Sequence, residues 1–105
     1  MQSFTRERPE IHFLTSGPVT EAERAAAERA LLAALDGVAG TVTSARLTLS
    51  VVTGSALPRP ALAQAVVDID GRRLRAQAAA PTLPEAVALL HRRMAVRVPR
   101  AVQAG

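Results

Sequence analysis

The sequence predicts an α+β fold, a two-layer sandwich in the order β-α-β-β-β-α, with two helices on one face of a four-stranded, mostly antiparallel sheet. Three observations support this prediction. Four short segments alternate apolar and polar residues, as half-buried strands do. Two longer segments repeat apolar residues every three or four positions, as helices with one buried face do. Both helical segments begin with a threonine that is followed three residues later by a glutamate, which is a helix-start pattern.

The predicted strands are bounded by turn-forming residues. Ser16-Gly17-Pro18 follows the first strand, and Asp70-Gly71 is a strong tight-turn signal between the last two. Because the last three strands follow one another without an intervening helix, they should form an antiparallel meander, with the first strand at a sheet edge. The predicted strands run from Glu10 to Thr15, Ala45 to Thr53, Leu62 to Asp70 and Arg73 to Ala79.

The two helices have marked beginnings and ends. Thr20 and Glu23 form the pattern of a capping box, and the first helix runs to about Asp36. The segment Thr82–Glu85 predicts a second box with proline in the first turn, and Pro99 ends that helix. The residues predicted to be buried are Ala27, Leu31, Ala34, Leu35 and Val38 in the first helix, and Leu83, Val87, Leu90, Met94 and Val98 in the second.

One domain is predicted over residues 10–100, between a flexible arm of residues 1–9 and a frayed tail of residues 101–105. A composition of 49% hydrophobic and 21% charged residues is that of a globular domain. The absence of cysteine from the sequence excludes disulfides and thiolate metal sites. The N-terminus has no signal-peptide pattern, and no apolar run reaches the roughly 20 residues that span a bilayer. The expected location is cytoplasmic, with no membrane partner.

The sequence offers no set of residues for catalysis. His12 is predicted on a strand and His91 on the flank of the second helix, and no nucleophile–base pair can be argued from them. Asp68 and Asp70 could share a metal ion or a proton, but a solvated pair leading into the Asp-Gly turn is the favoured interpretation. We therefore predict no enzyme, and no catalytic residue, cofactor, metal or small-molecule substrate.

Arginine supplies the clearest functional signal. All thirteen basic residues are arginine, against nine carboxylates, and the net charge is +4. A guanidinium group offers a planar fork of donors that suits phosphate oxygens. The second helix holds four arginines and no carboxylate after Glu85, and a helical wheel places three of them on one flank with Arg92 pointing outward. The predicted RNA-binding residues are Arg92, Arg93, Arg97 and Arg100 on the second helix, with Arg24 and Arg29 on the first.

Other features narrow what these arginines could bind. The dipole of the second helix also favours basic residues near its C-terminus, but that explanation requires one or two charges rather than four. Arginines of the first helix alternate with acidic residues. Phe4 and Phe13 are the two aromatic residues of the sequence, so a sheet that stacks unpaired bases on aromatic rings is excluded. RNA binding would then depend on backbone shape and phosphates, and it would weaken as salt rises.

Three segments carry a family resemblance. Residues 13–20 (FLTSGPVT) lead from a strand through Ser-Gly into a threonine-capped helix, residues 65–78 (AVVDIDGRRLRAQA) form strand, turn and strand, and residues 82–98 combine a polar cap with apolar and basic positions. Over roughly residues 10–100 the chain resembles the ribosome hibernation-promoting factor family. The resemblance implies a domain that lodges in the mRNA and tRNA channel of the small ribosomal subunit, blocks translation and preserves idle ribosomes. It also implies that arginines of both helices meet ribosomal RNA phosphates.

Two alternatives stay open. The chain could be a diverged relative that binds another protein or self-associates as a weak homodimer, through Leu89 and Val96 on the arginine flank of the second helix. It could also bind double-stranded RNA outside the ribosome. An RNA contact should weaken strongly with added salt, whereas an apolar protein contact should not.

Overall fold

A computed structural model describes residues 11–54 and 56–99 of the chain and has the predicted order of elements. The predicted arm of residues 1–9, the tail of residues 101–105 and the RNA-binding candidate Arg100 lie outside the described residues. The elements are β1 (Ile11–Ser16), α1 (Glu21–Ala34), β2 (Val42–Val51), β3 (Ala61–Ile69), β4 (Arg72–Ala80) and α2 (Leu83–Arg97).

The four strands form one mixed sheet in the order β1-β2-β3-β4. β1 runs parallel to β2 at one edge, and the other two pairs are antiparallel, which confirms the predicted sheet. Asp70 and Gly71 both have positive φ in the turn between β3 and β4, as a two-residue hairpin turn requires. β2 begins at Val42 rather than at Ala45, because it continues to pair with β3 across a register irregularity between Val42 and Ser44.

One face of the sheet is covered by both helices, and the core lies between these two layers. On this face β3 and β4 carry mostly alanines, which are buried, so α2 can approach the sheet closely. The largest fully buried side chains are Leu47, Leu49, Val67 and Met94. Every residue predicted for the two buried helix stripes is buried except Val38, which is half-buried.

The two helix starts differ from one another. Thr20 accepts a hydrogen bond from the Glu23 backbone N–H at 3.1 Å, and the Glu23 carboxylate accepts one from the Thr20 N–H at 2.9 Å, so this capping box is complete. Thr82 accepts from the Glu85 N–H at 3.4 Å, but its hydroxyl donates to the Glu85 carboxylate at 2.9 Å. The second predicted box is therefore incomplete, because the Glu85 carboxylate binds the hydroxyl instead of the Thr82 N–H.

α1 also ends earlier than the sequence predicts. Its last helical residue is Ala34, and the N–H of Asp36 donates to the carbonyl of Ala33 at 3.2 Å. Because this bond spans three residues rather than four, the chain forms a tighter turn and the α-helix ends before Asp36.

Candidate nucleic-acid interface

One flank of α2 stands beside β4, the strand that ends the sheet opposite β1. Residues 89, 92 and 96 are spaced three or four apart, as are residues 89, 93 and 97, so together they form one continuous stripe along the helix. Between this stripe and β4 lies an open groove of about 970 Å³, which we call the α2–β4 groove. Its lining residues are Arg75, Ala76 and Gln77 from β4, and Leu89, Arg92, Arg93, Val96 and Arg97 from α2.

Three of the predicted RNA-binding residues meet in this groove. Arg92, Arg93 and Arg97 are all exposed. Arg92, which the helical wheel directs outward from the flank of the other arginines, is exposed and lines the same groove. Among the described residues that line the groove there is no carboxylate, so their positive charges are not neutralised within it.

Arg93 is held against the edge strand. Its Nη1 donates a hydrogen bond of 2.7 Å to the backbone carbonyl of Gln77 in β4. A guanidinium group has five N–H donors, so this bond orients Arg93 across the groove and leaves further donors for a ligand. The bond also shows that the Gln77 carbonyl is directed away from β3 and into the groove.

The two predicted residues of α1 do not line the groove. The guanidinium carbon of Arg24 lies 4.8 Å from the centroid of the Phe13 ring in β1, within the range of a cation–π contact. Arg24 is half-buried, and its Nε is buried without a hydrogen-bond partner among the described residues. Arg29 is exposed on α1. Arg24 therefore packs its charged group against the ring of Phe13 in β1, away from the groove.

Sequence reasoning missed two arginines that continue the same basic surface. The alternation of β4 places Arg75 on the face of the sheet away from the helices, but β4 is an edge strand and Arg75 also lines the groove. Arg59 lies in the loop between β2 and β3, and it lines an adjoining depression that shares Gln77, Leu89 and Arg93 with the groove. The strand pattern identifies the face that Arg75 occupies, but nothing local to the sequence places α2 beside it.

On the face of the sheet away from the helices, an acidic side chain is paired with an arginine. Asp68 accepts hydrogen bonds from the Ser44 hydroxyl at 2.6 Å and from Arg73 Nε at 3.2 Å. These bonds, the Ser44 bond first, lower the pKa of the Asp68 carboxyl. Asp70 instead accepts from the Thr41 backbone N–H at 3.1 Å. The two aspartates therefore have separate partners, and Arg73 differs from the groove arginines in being paired with an acid.

The described residues contain no group of three or more histidine, cysteine, aspartate or glutamate side chains placed to hold a metal ion. Neither described helix combines the length and the apolar character that crossing a bilayer requires.

Comparison with known proteins gives matches in structure alone. No protein-family model matches the chain, and no curated protein matches it in sequence. The N-terminal domain of Thermus thermophilus Protein Y is similar, with a TM-score of 0.65 and 24% identity, over 83% of this chain and 92% of that one. A ribosomal subunit interface protein from Coxiella burnetii has a TM-score of 0.65 and 16% identity, over 84% of this chain and 91% of that one. Both are proteins of the hibernation-promoting factor family, so the chain has the fold of the family that its sequence resembles.

Proposed function

We propose that this chain is a ribosome-associated translation inhibitor of the hibernation-factor type, which binds small-subunit ribosomal RNA through the arginines of α2. The observation that carries the proposal is the row of exposed arginines on α2, unneutralised within the α2–β4 groove. The shared fold supports it, because one neighbour is named as a ribosomal subunit interface protein. The corresponding location is cytoplasmic.

The proposed mechanism is anchoring followed by steric occlusion, with no chemical step. Arg92, Arg93 and Arg97 would contact phosphates from one rigid helix, so little conformational freedom is lost beyond that of the arginine side chains themselves. Arg100 would extend the row, and Arg29 would reach a more distant phosphate. Arg24 has a smaller part, because its guanidinium already rests on Phe13. A domain held in this way in the mRNA and tRNA channel would prevent both ligands from entering.

The test is sedimentation of the purified protein with separated small and large subunits across a salt series. We expect association with the small subunit alone, with an affinity that falls linearly on a double logarithmic plot as salt rises, because phosphate binding releases counterions. The same preparation should inhibit translation in a purified system at salt concentrations that permit binding. Failure to sediment with small subunits even at low salt would contradict the proposal.

A second candidate, a protein-binding module, is favoured by one observation. Val96 is 85% exposed in the groove, and Leu89 beside it is half-buried, so the groove has an apolar component. Binding to a protein partner or to a second copy that persists at high salt would favour this candidate. Equal competition by generic duplex RNA would instead favour an RNA-binding protein without a ribosomal preference.

A further inference from the structure

The free edge of β4 presents backbone hydrogen-bonding groups to the groove. In an antiparallel pair, alternate residues direct both their N–H and their C=O groups away from the partner strand. The carbonyl of Gln77 is directed away from β3, since it accepts from Arg93. Arg73 and Arg75 share its parity on β4, so their N–H and C=O groups are also directed away from β3. Unpaired edges of this kind are templates for an added strand.

The walls of the groove suit the side chains of an acidic peptide. Leu89 and Val96 supply apolar surface, and arginines flank them on both sides. A strand added beside β4 would direct alternate side chains to the two faces of the sheet. Those on the helix side would meet Arg92 and Arg97, and those on the open side would meet Arg75.

We propose that the α2–β4 groove binds an acidic segment of another protein in extended conformation, as an additional strand beside Arg73 and Arg75 of β4. The inference goes beyond ribosome association and does not depend on it. Arg93 sets the end of the added strand, because its bond to Gln77 occupies the next outward carbonyl of β4. Affinity would come from main-chain hydrogen bonds, and the arginines would select acidic sequences.

Two other occupants of the groove are disfavoured, a second copy of the chain by charge and single-stranded RNA by the groove's lining. A second copy paired through the same edge would set the arginine rows of the two chains against each other, and like charges directly opposite are destabilising. Single-stranded RNA would find partners for its phosphates, but no aromatic ring lines the described groove on which a base could stack. RNA would also leave the ladder of outward N–H and C=O groups of β4 unmatched. A peptide backbone satisfies both sets of groups.

The experiment measures binding by fluorescence anisotropy with a labelled peptide of about eight residues in which glutamate alternates with threonine or valine, long enough for an ordinary strand. Two competing probes carry the same charge. One is the same peptide with alternate backbone amides methylated, which keeps the glutamates but cannot form a ladder. The other is a single-stranded RNA. We expect methylation to weaken binding roughly tenfold, since each lost backbone bond contributes a factor of several.

Two substitutions at one position separate charge from backbone pairing. Arg75→Gln removes the charge alone and should weaken peptide binding about twofold, as an exposed ion pair contributes little. Arg75→Pro also removes the outward N–H, at an edge position where proline is tolerated, and should weaken binding about tenfold. Arg46→Gln is the matched control, because Arg46 lies on the same open face but on β2, away from the groove. Its effect should stay under about twofold.

The direct readout is hydrogen exchange of the backbone amides of Arg73 and Arg75, which should slow when the peptide is bound. Equal affinity for the methylated peptide, or a preference for RNA of the same charge, would overturn strand addition and leave the ribosome proposal untouched. Equal effects of Arg75→Gln and Arg75→Pro would overturn it as well. Should Arg75→Pro fail to fold by circular dichroism, the two peptides with the unaltered protein still decide the question.

Discussion

The two helices cover the same face of the sheet and each buries one apolar stripe, yet their arginines are used differently. On α1, Arg24 lies over Phe13, and Glu23 and Glu28 are half-buried on the same helix. On α2, Arg92 and Arg97 are exposed beside a groove without carboxylates. α2 stands next to the open edge of β4, whereas the Arg24 side chain of α1 packs onto β1. A basic helix therefore becomes a candidate binding surface through its position relative to the sheet edge as well as through its charge.

The largest expected effect tests that difference directly. Arg93→Gln with Arg97→Gln should lower the dependence of ribosome affinity on salt by about two units of the double logarithmic slope, since each phosphate contact contributes about one. The matched control is Arg24→Gln with Arg29→Gln, which removes the same charge from α1 and should change the slope by less than about one unit. The measurement is co-sedimentation with small subunits across a salt series.

Thermal melting of both double variants checks that they remain folded, because the substitutions remove the hydrogen bond from Arg93 to Gln77 and the contact of Arg24 with Phe13. Equal losses of slope from α1 and α2 in folded variants would show that the arginines of both helices bind RNA, as the family resemblance implies. Equal losses would then remove the distinction between the two helices.

The sequence predicts the elements and their buried faces better than it predicts the contacts of the arginines. The order of elements, the hairpin at Asp70-Gly71 and the two buried helix stripes all follow from local spacing, and the structure confirms them. The fate of Arg24 could not be predicted, because the spacing on α1 places it on the polar side and the ring beneath it comes from β1. The position of the Arg24 side chain depends on a contact between two segments that are distant in the sequence, so local spacing does not reveal it.

The groove was beyond prediction for the same reason. Strand alternation assigns Arg75 to the open face, but its place in the groove depends on β4 being an edge strand with α2 alongside. The incomplete box at Thr82 shows a smaller limit. A threonine followed three residues later by a glutamate occurs at both helix starts, yet the carboxylate of Glu85 accepts from the Thr82 hydroxyl rather than from the Thr82 backbone N–H. Sequence patterns specify which bonds are available, and geometry decides which of them form.

In the core the two helices should behave alike. Leu31 of α1 is 2% exposed and Met94 of α2 is 0% exposed, so Leu31→Ala and Met94→Ala should each lower the free energy of unfolding by about 3 kcal/mol. Val96→Ala on the exposed flank of α2 is the control and should change it by less than about 0.5 kcal/mol. Urea denaturation followed by circular dichroism measures all three. A large loss for Val96→Ala would show that this side chain is packed in solution and that the groove is closed rather than open.

The helix starts should differ by a smaller amount. Thr20→Ala should lower the free energy of unfolding by about 1.5 kcal/mol, because it removes a 3.1 Å bond from the Glu23 N–H. Thr82→Ala should lower it by about 0.5 kcal/mol, because the bond it removes from the Glu85 N–H is longer, at 3.4 Å, and the freed Glu85 carboxylate can then accept from the backbone N–H of residue 82. Urea denaturation gives the two values, and hydrogen exchange at the Glu23 and Glu85 amides shows whether each loss is local. Equal costs at both threonines would mean that the difference between the two boxes has no energetic consequence.

The cation–π contact of α1 should be smaller again. Arg24→Gln should lower the free energy of unfolding by about 0.5 kcal/mol, as expected for a partly exposed guanidinium over a phenyl ring. Arg92→Gln removes the same charge from α2 and should have no measurable effect on unfolding. A double-mutant cycle with Phe13→Leu isolates the pair, and a coupling energy near zero would show that Arg24 is held by its helix alone.

The smallest expected effect on stability comes from the ion pair between Arg73 of β4 and Asp68. Arg75 lies two residues further along the same strand. Because hydrogen bonds from Ser44 and Arg73 lower the pKa of Asp68 in the folded chain, the ionised carboxylate stabilises the fold at neutral pH. That contribution should be fully present above about pH 4, the ordinary range of an aspartate, and lost as the pH falls through the lowered folded value. Melting temperatures of the unaltered protein and Asp68→Asn should therefore differ slightly at neutral pH and converge in acid. A difference that grew in acid would mean that Asp68 is stabilised as its neutral form, and Arg73 would then be as open to ligands as Arg75.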